Sequence, residues 1–395
     1  MADTSPILAD DASGRLARTL LLPYLNHAAT MLEEGYASRA DIDAGMRFGC
    51  GYPVGPLALV DELGARTVVD GLTELHARTG DPVHVPAPLL VGLAERGETL
   101  AGSSDDEAAT PQLRHEITSV GVVGTGTMAS GIVEVFAKAG YDVVYVGRSE
   151  EKTAGVLKAV TKNLDRAVAK GRLDEAGKAE VLGRLSGSSE REALAGVDLV
   201  VEAIAEDLDV KLQLFADLDR ICKPGAILAT TTSSLSIARC AEATSRPEDV
   251  IGMHFFNPAP LMKLVEVVTT EKTSPDVDET VRALCLNVGK HPVSCGDRAG
   301  FIVNALLFPY LNDAVRLVDA GEAEMDAVDE AMTRAGLPMG PFVLLDVVGN
   351  DVSLAIESSL VEAFGHDGWR PAAGLEKAVA EGRLGRKTGA GFHSY

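Results

Sequence analysis

Residues 116–146 read EITSVGVVGTGTMASGIVEVFAKAGYDVVYV. A short apolar strand from Glu116 to Val123 runs into Gly124-Thr-Gly126-Thr-Met-Ala129-Ser-Gly131. A helical pattern follows through Ile132, Val135, Phe136 and Ala139; Gly140 stops it, and Tyr141 to Val146 reads as the next strand. Strand, glycine turn, helix and strand within about 30 residues is the context in which a Gly-x-Gly-x-x-Ala string signals dinucleotide binding. Gly124 permits the tight turn, and Gly126 lets backbone amides approach a pyrophosphate at a helix N-terminus. Ala129 allows close packing of helix on strand, while Thr127 and Met128 complete the turn expected to face the cofactor.

Where the second strand ends, an NAD-binding domain usually carries an acid that accepts the ribose hydroxyls. This chain has Gly147-Arg148-Ser149 instead. A small residue leaves room, and the Arg148 guanidinium offers a fork of donors to a 2′-phosphate. One charge-assisted bond contributes about 1.5–3 kcal/mol. The expectation is NADP, with NAD the alternative if Arg148 stacks on the adenine.

Downstream, residues 254–266 read HFFNPAPLMKLVE. His254 lies near the end of one β-branched and aromatic run, a proline-rich corner reverses the chain, and a second apolar run carries Glu266. If the runs are neighbouring strands, an imidazole that titrates near neutrality meets a carboxylate able to fix its tautomer and stabilise its charged form. The alternative is a buried, satisfied histidine beside an unrelated acid.

The 395 residues imply two or three domains, and a 46% apolar fraction supports large cores. No apolar run approaches the roughly 20 residues that span a bilayer. Met1 to Asp11 lacks a basic-then-apolar signal pattern, so a cytoplasmic location is expected. Cys50, Cys222, Cys240, Cys285 and Cys295 are odd in number and widely spaced, which fits neither a disulfide framework nor a zinc site. A net charge of −22 argues against nucleic acid and anionic membranes as partners. Anionic cofactors must therefore meet local basic groups. In the helical stretch Glu151 to Lys170, Lys158, Lys162, Arg166 and Lys170 recur every four residues on one face. That face is a candidate clamp for the phosphates of a carrier such as coenzyme A; the alternative is a solvated helix face.

The chain also contains a repeat. Leu20-Leu-Leu-Pro-Tyr-Leu-Asn26 answers Leu306-Leu-Phe-Pro-Tyr-Leu-Asn312, Asp43 answers Asp329, and Tyr52-Pro-Val-Gly-Pro56 answers Leu337-Pro-Met-Gly-Pro341. Asp61 and Gly64 answer Asp346 and Gly349, the offset having shortened by one residue at the Pro-x-Gly-Pro corner. Both copies show helical periodicity broken by Gly and Pro. They are unequal, because Asn304 in the second copy stands where the first has Arg18, and the first lacks the Gly385-to-Phe392 tail. Only the second copy is expected to face chemistry. The boundaries read as a helical domain at 1–98, a polar and flexible linker at 99–115, a nucleotide domain at 116–297 and a helical domain at 298–395.

These motifs carry a family resemblance. The chain resembles the 3-hydroxyacyl-CoA dehydrogenases, including the short-chain 3-hydroxybutyryl-CoA type. The likeness rests on Val201-Glu-Ala-Ile-Ala-Glu206, Thr231-Thr-Ser-Ser-Leu235, His254-Phe-Phe-Asn-Pro258, Lys263-Leu-Val-Glu266, Gly300-Phe-Ile-Val-Asn304 and Lys387-Thr-Gly-Ala-Gly-Phe392. It covers about 116 to 395, with the repeat accounting for most of 15 to 98. It implies an α/β Rossmann-type NAD(P)-binding domain followed by an all-α domain, here preceded by a degenerate copy of that all-α domain. It implies oxidation of (S)-3-hydroxyacyl-CoA to 3-oxoacyl-CoA and the reverse, on short acyl chains, within fatty-acid or related acyl-CoA metabolism.

The same resemblance implies His254 as general base, Glu266 as its orienting acid, and Ser233 as a donor to the reacting 3-oxygen. It also implies Asn304 as a contact to substrate and histidine, with Glu206 and Lys211 near the nicotinamide ribose. Simpler readings are a helix cap for Ser233, an interhelical bridge for Asn304 and a helix-start acid for Glu206. The chain departs from the family pattern at Thr231, where an Asn is usual, and at the missing acid after the second strand. Family members commonly dimerise through the helical domain, so the two copies are expected to pair within the chain, with homodimerisation left open. A dehydrogenase of a free hydroxy acid or sugar acid is the alternative activity. A non-catalytic nucleotide-binding protein is a further reading, which the presence of Ser233, His254, Glu266 and Asn304 opposes.

Overall fold

The structure is a computed structural model that describes residues 4–102 and 110–395. The chain divides into two compact units: Ala108–Arg298, and Met1–Glu107 together with Ala299–Tyr395. The two helical segments expected as separate domains therefore form one unit.

The unit Ala108–Arg298 is built on one eight-stranded sheet. Its strands are β1 (Ser119–Val123), β2 (Asp142–Val146), β3 (Leu185–Ser188), β4 (Leu199–Glu202), β5 (Ile227–Thr230), β6 (Val250–Phe255), β7 (Leu264–Thr269) and β8 (His291–Gly296), in spatial order 3-2-1-4-5-6-7-8. The first six run parallel, β7 is antiparallel to β6, and β8 is parallel to β7. Strands covered on both faces need continuous apolar runs, and Val120, Val122, Leu199, Val200, Val201, Ile227 and Leu228 are accordingly fully buried. Helix Thr127–Lys138 presses Ile132, Val133 and Phe136 into that core, each contributing about 1.5–3 kcal/mol through burial. The order reverses between β1 and β4, which opens the crevice where such sheets bind nucleotides.

In the helical unit, five helices of the first copy answer five of the second. Ala12–Glu33, Arg39–Gly49, Pro56–Leu63, Ala65–Thr79 and Pro88–Arg96 correspond to Val303–Asp319, Met325–Arg334, Pro341–Val348, Asn350–Phe364 and Ala373–Ala380. The same side chains hold both copies. Asn26 donates to the carbonyls of Val83 and Val85 at 3.1 and 2.8 Å and accepts from the Ala87 amide at 2.8 Å. Asn312 donates to the carbonyls of Trp369 and Arg370 at 3.5 and 2.8 Å and accepts from the Ala372 amide at 2.8 Å. Asp43 caps the helix at Leu57 and Asp329 the helix at Phe342, at 2.7 and 2.9 Å.

The copies meet reciprocally. A Cβ on Gly51 would lie 3.7 Å from Pro338, and one on Gly336 would lie 3.9 Å from Pro53. The equivalent rings of Tyr24 and Tyr310 face each other with centroids 6.2 Å apart. Residue i touching j while j touches i is the signature of a two-fold pairing, here made inside one chain.

The linker expected to be flexible is anchored where it is described. Leu100 is buried, and its amide donates to Asp61 at 2.7 Å, the same kind of bond that Asp346 accepts from Phe392 and His393 of the tail. At its far end, Arg114 donates to Glu279 at 2.7 Å. Residues 103–109, the most polar part of that expected linker, lie outside the described residues. No helix among the described residues is long and apolar enough to cross a membrane.

Candidate active site

The turn after β1 is shaped for an anion. Gly124 has φ 137°, and a Cβ there would lie 2.3 Å from the Ala203 carbonyl oxygen and 3.3 Å from the Ala129 Cβ. The helix Thr127–Lys138 starts at exposed Gly126 and Thr127 with no side chain capping it, so its first-turn N–H groups are open to a phosphate. Met128 is half-buried against the core. Arg148 is exposed at the end of β2. Gly147 has a packing reason of its own, since a Cβ there would meet Thr125 Cγ2 at 2.6 Å.

His254 and Glu266 are directly opposed in the β6–β7 ladder. Opposed residues on an antiparallel pair put their side chains on one face about 5 Å apart at Cβ. The result is a 2.6 Å contact between His254 Nδ1 and Glu266 Oε2, with Glu266 fully buried and His254 7% exposed. A carboxylate accepting at Nδ1 selects the tautomer in which Nε2 bears the basic lone pair, and it stabilises the imidazolium after proton uptake. The ring also packs on Phe256, centroids 4.6 Å apart.

A second buried cluster fixes the loop after β5. The Glu202 carboxylate at the end of β4 accepts from Lys211 Nζ at 2.7 and 2.8 Å, from the Thr230 hydroxyl at 2.6 Å and from the Ile204 amide at 2.7 Å. Lys211 also lies 3.4 Å from Glu206. Glu206 in turn accepts from the Thr232 hydroxyl at 2.5 Å and the Ser233 amide at 2.9 Å. Burial pushes the Glu206 carboxyl up, but the Lys211 charge and the bonds from Thr232 and Ser233 outweigh it and hold the group below its usual range. Glu206 is therefore an anion that positions Ser233.

Lys211 is 1% exposed and lies between the carboxylates of Glu202 and Glu206. The cluster also corrects two simpler readings. Ser233 caps no helix; Ser236 caps Ile237–Glu242. Glu206 is not a helix-start acid, because Asp207 caps Leu208–Ile221 and Glu206 bonds the Ser233 loop. Glu202 was missed, although an acid closing an otherwise apolar strand is a legible oddity.

The remaining residues lie as follows. Asn304 is buried in the first turn of helix Val303–Asp319. Lys158, Lys162, Arg166 and Lys170 are exposed at helix Glu150–Ala169 and its C-cap, without ion-pair partners among the described residues.

A glycine turn at a sheet switch point, together with an acid-braced imidazole, defines a nicotinamide-dinucleotide oxidoreductase. Residues 119–298 match the model of the 3-hydroxyacyl-CoA dehydrogenase NAD-binding domain, and residues 14–105 and 300–395 match that of the same family's C-terminal domain. The chain belongs to the 3-hydroxyacyl-CoA dehydrogenase family. It is 44% identical over 275 residues to the 3-hydroxybutyryl-CoA dehydrogenase of Clostridioides difficile, covering 69% of this chain and 98% of the relative. With the mitochondrial hydroxyacyl-coenzyme A dehydrogenase of Sus scrofa it shares 43% identity over 302 residues, 74% of this chain and 96% of the other. The crystal structure of (S)-3-hydroxybutyryl-CoA dehydrogenase from Ralstonia eutropha matches with TM-score 0.69 and 39% identity, covering 71% of this chain and 99% of that one.

Proposed function

We propose that the chain interconverts (S)-3-hydroxyacyl-CoA and 3-oxoacyl-CoA, with short acyl chains such as 3-hydroxybutyryl-CoA preferred. The observation that carries the reading is the 2.6 Å His254–Glu266 contact beside a dinucleotide-type sheet crossover. In the oxidative direction His254 Nε2 takes the proton of the 3-hydroxyl, and Glu266 stabilises the imidazolium that forms. The Ser233 hydroxyl, held through Glu206, donates to the 3-oxygen, and Asn304 holds the substrate through its amide. The amides of Gly126 and Thr127 would hold the pyrophosphate of a nicotinamide dinucleotide, which when bound would supply the hydride acceptor or donor. The exposed face of Lys158, Lys162 and Arg166 receives the coenzyme A phosphates.

The cofactor reading is NADP, supported by exposed Arg148 and by the missing acid after β2. Acetoacetyl-CoA reduction assayed with NADPH and NADH tests both points. Turnover with a kcat/KM advantage for NADPH of roughly ten- to a hundredfold is expected from the Arg148 contact. An advantage for NADH overturns the NADP reading alone, whereas equal turnover of free acetoacetate overturns the thioester reading.

A further inference from the structure

We infer that Lys290 is a positioning residue for the catalytic hairpin, its buried ammonium clasping the loop that joins the strand of His254 to the strand of Glu266. The inference rests on the reading of His254 as the base. Lys290 sits between helix Pro275–Asn287 and β8, is 7% exposed, and donates from Nζ to the carbonyls of Ala259 and Met262, both at 2.6 Å. The next residue holds the loop's end, because the His291 amide donates to the Lys263 carbonyl at 2.7 Å.

The loop needs this outside help. Within the turn itself, the Leu261 and Met262 amides both donate to one carbonyl, that of Pro258, at 2.9 and 3.0 Å. The carbonyl of buried Ala259 therefore has to find a donor elsewhere. An ammonium with three N–H groups serves two carbonyls at once, where an apolar side chain of similar reach, such as that of Met, serves neither. No carboxylate pairs with Lys290 among the described residues, so carbonyl dipoles are its immediate partners.

The loop's other contact reaches the cofactor turn. A Cβ on Gly131, in helix Thr127–Lys138, would lie 3.0 Å from Pro260 Cδ and 3.1 Å from Ala259 Cβ. The segment that Lys290 clasps thus packs against the helix whose N-terminus is shaped for the pyrophosphate. On its flanks it leads directly into the two strands that carry the acid–base pair. A loosened loop shifts β6 against β7 and against that helix, and displacement of a catalytic group by about 1 Å costs about a hundredfold in rate.

The test is a double-mutant cycle on the full chain with acetoacetyl-CoA, comparing Lys290→Met, His254→Gln and the pair. Lys290→Met is expected to lower kcat about ten- to a hundredfold while the KM for the nicotinamide cofactor stays within about twofold. In the His254→Gln background the same change is expected to have little effect, because Lys290 acts through the imidazole. An equal loss in both backgrounds marks a merely structural residue and overturns the inference, as does an unchanged kcat in the single variant. Should Lys290→Met fail to fold, Lys290→Gln, whose shorter neutral amide keeps two N–H donors, enters the same cycle; a smaller loss of kcat is expected, and it must again vanish in the His254→Gln background. Undiminished turnover by His254→Gln defeats the general-base reading itself, a result distinct from failure at Lys290.

Discussion

Helix Ala12–Glu33 and helix Val303–Asp319 each carry an internal proline and an asparagine that ties down the segment before the last helix of its copy. Yet three positions on matched elements differ in kind. Where the second copy has Asn304, the first has Arg18, whose guanidinium donates to the carbonyls of Ile7 and Ala9 at 2.7 and 2.9 Å and so fastens the N-terminal segment. Where the second has Asp313 and buried Glu357, the first has His27 and fully buried Leu72. Bonds that hold the fold are kept in both copies, while Asn304, Asp313 and Glu357 occur in the second alone. The scaffolding is duplicated; the proposed substrate contact at Asn304 is not.

The largest effect that sharpens this comparison lies outside both copies. His254→Gln is expected to lower kcat at least about a hundredfold, the range of a general base, with NAD(P)H binding by fluorescence titration unchanged. If turnover survives, there is no acid–base centre for either copy to serve.

Next comes Glu357, both of whose carboxyl oxygens lack a hydrogen-bond partner among the described residues. Burial raises its pKa well above the ordinary value, the nearby Asp313 charge adds to this, and Arg316 opposes it. Burial likewise pushes Asp313 up to about 7. A raised folded-state pKa means the fold holds the proton more tightly than the unfolded chain does. The resulting stability is present at acid pH and is lost as pH rises through the folded values. Glu357→Leu, which restores the residue of the first copy, is therefore expected to stabilise the protein by about 1–3 kcal/mol at pH 8. The gain should shrink toward pH 5, and thermal melts at both pH values read it out. A gain independent of pH would mean that packing, not charge, distinguishes Leu72 from Glu357.

How much of this was legible in the sequence follows from how local each signal is. The turn Gly124 to Ala129 was legible because strand, turn and helix lie side by side in the chain. The pairing of His254 with Glu266 was legible because a short corner sets the register of a hairpin, and a period of two then decides which side chains share a face. The repeat showed because Asn26, Asp43 and their counterparts are kept for bonds that recur in the same order. The Glu202–Lys211 pair and the Lys290 clasp left little local trace. Their partners lie on other elements, and a buried charge looks like an exposed one until its neighbours are known. The bonds from Leu100 to Asp61 and from Arg114 to Glu279, at the described ends of the stretch 99–115, left no local trace for the same reason.

The asymmetry between the copies is tested most directly by kcat for acetoacetyl-CoA reduction in Asn304→Ala and Arg18→Ala, measured side by side. On the proposed role of Asn304, removing its amide leaves a substrate group unsatisfied at a cost of about 1–3 kcal/mol, so kcat is expected to fall roughly five- to a hundredfold in the first variant. Loss of the Arg18 clamp lowers Tm by a few degrees at most and leaves kcat within about twofold. Equal losses in the two variants, or full activity in Asn304→Ala, would contradict the assignment of chemistry to the second copy alone.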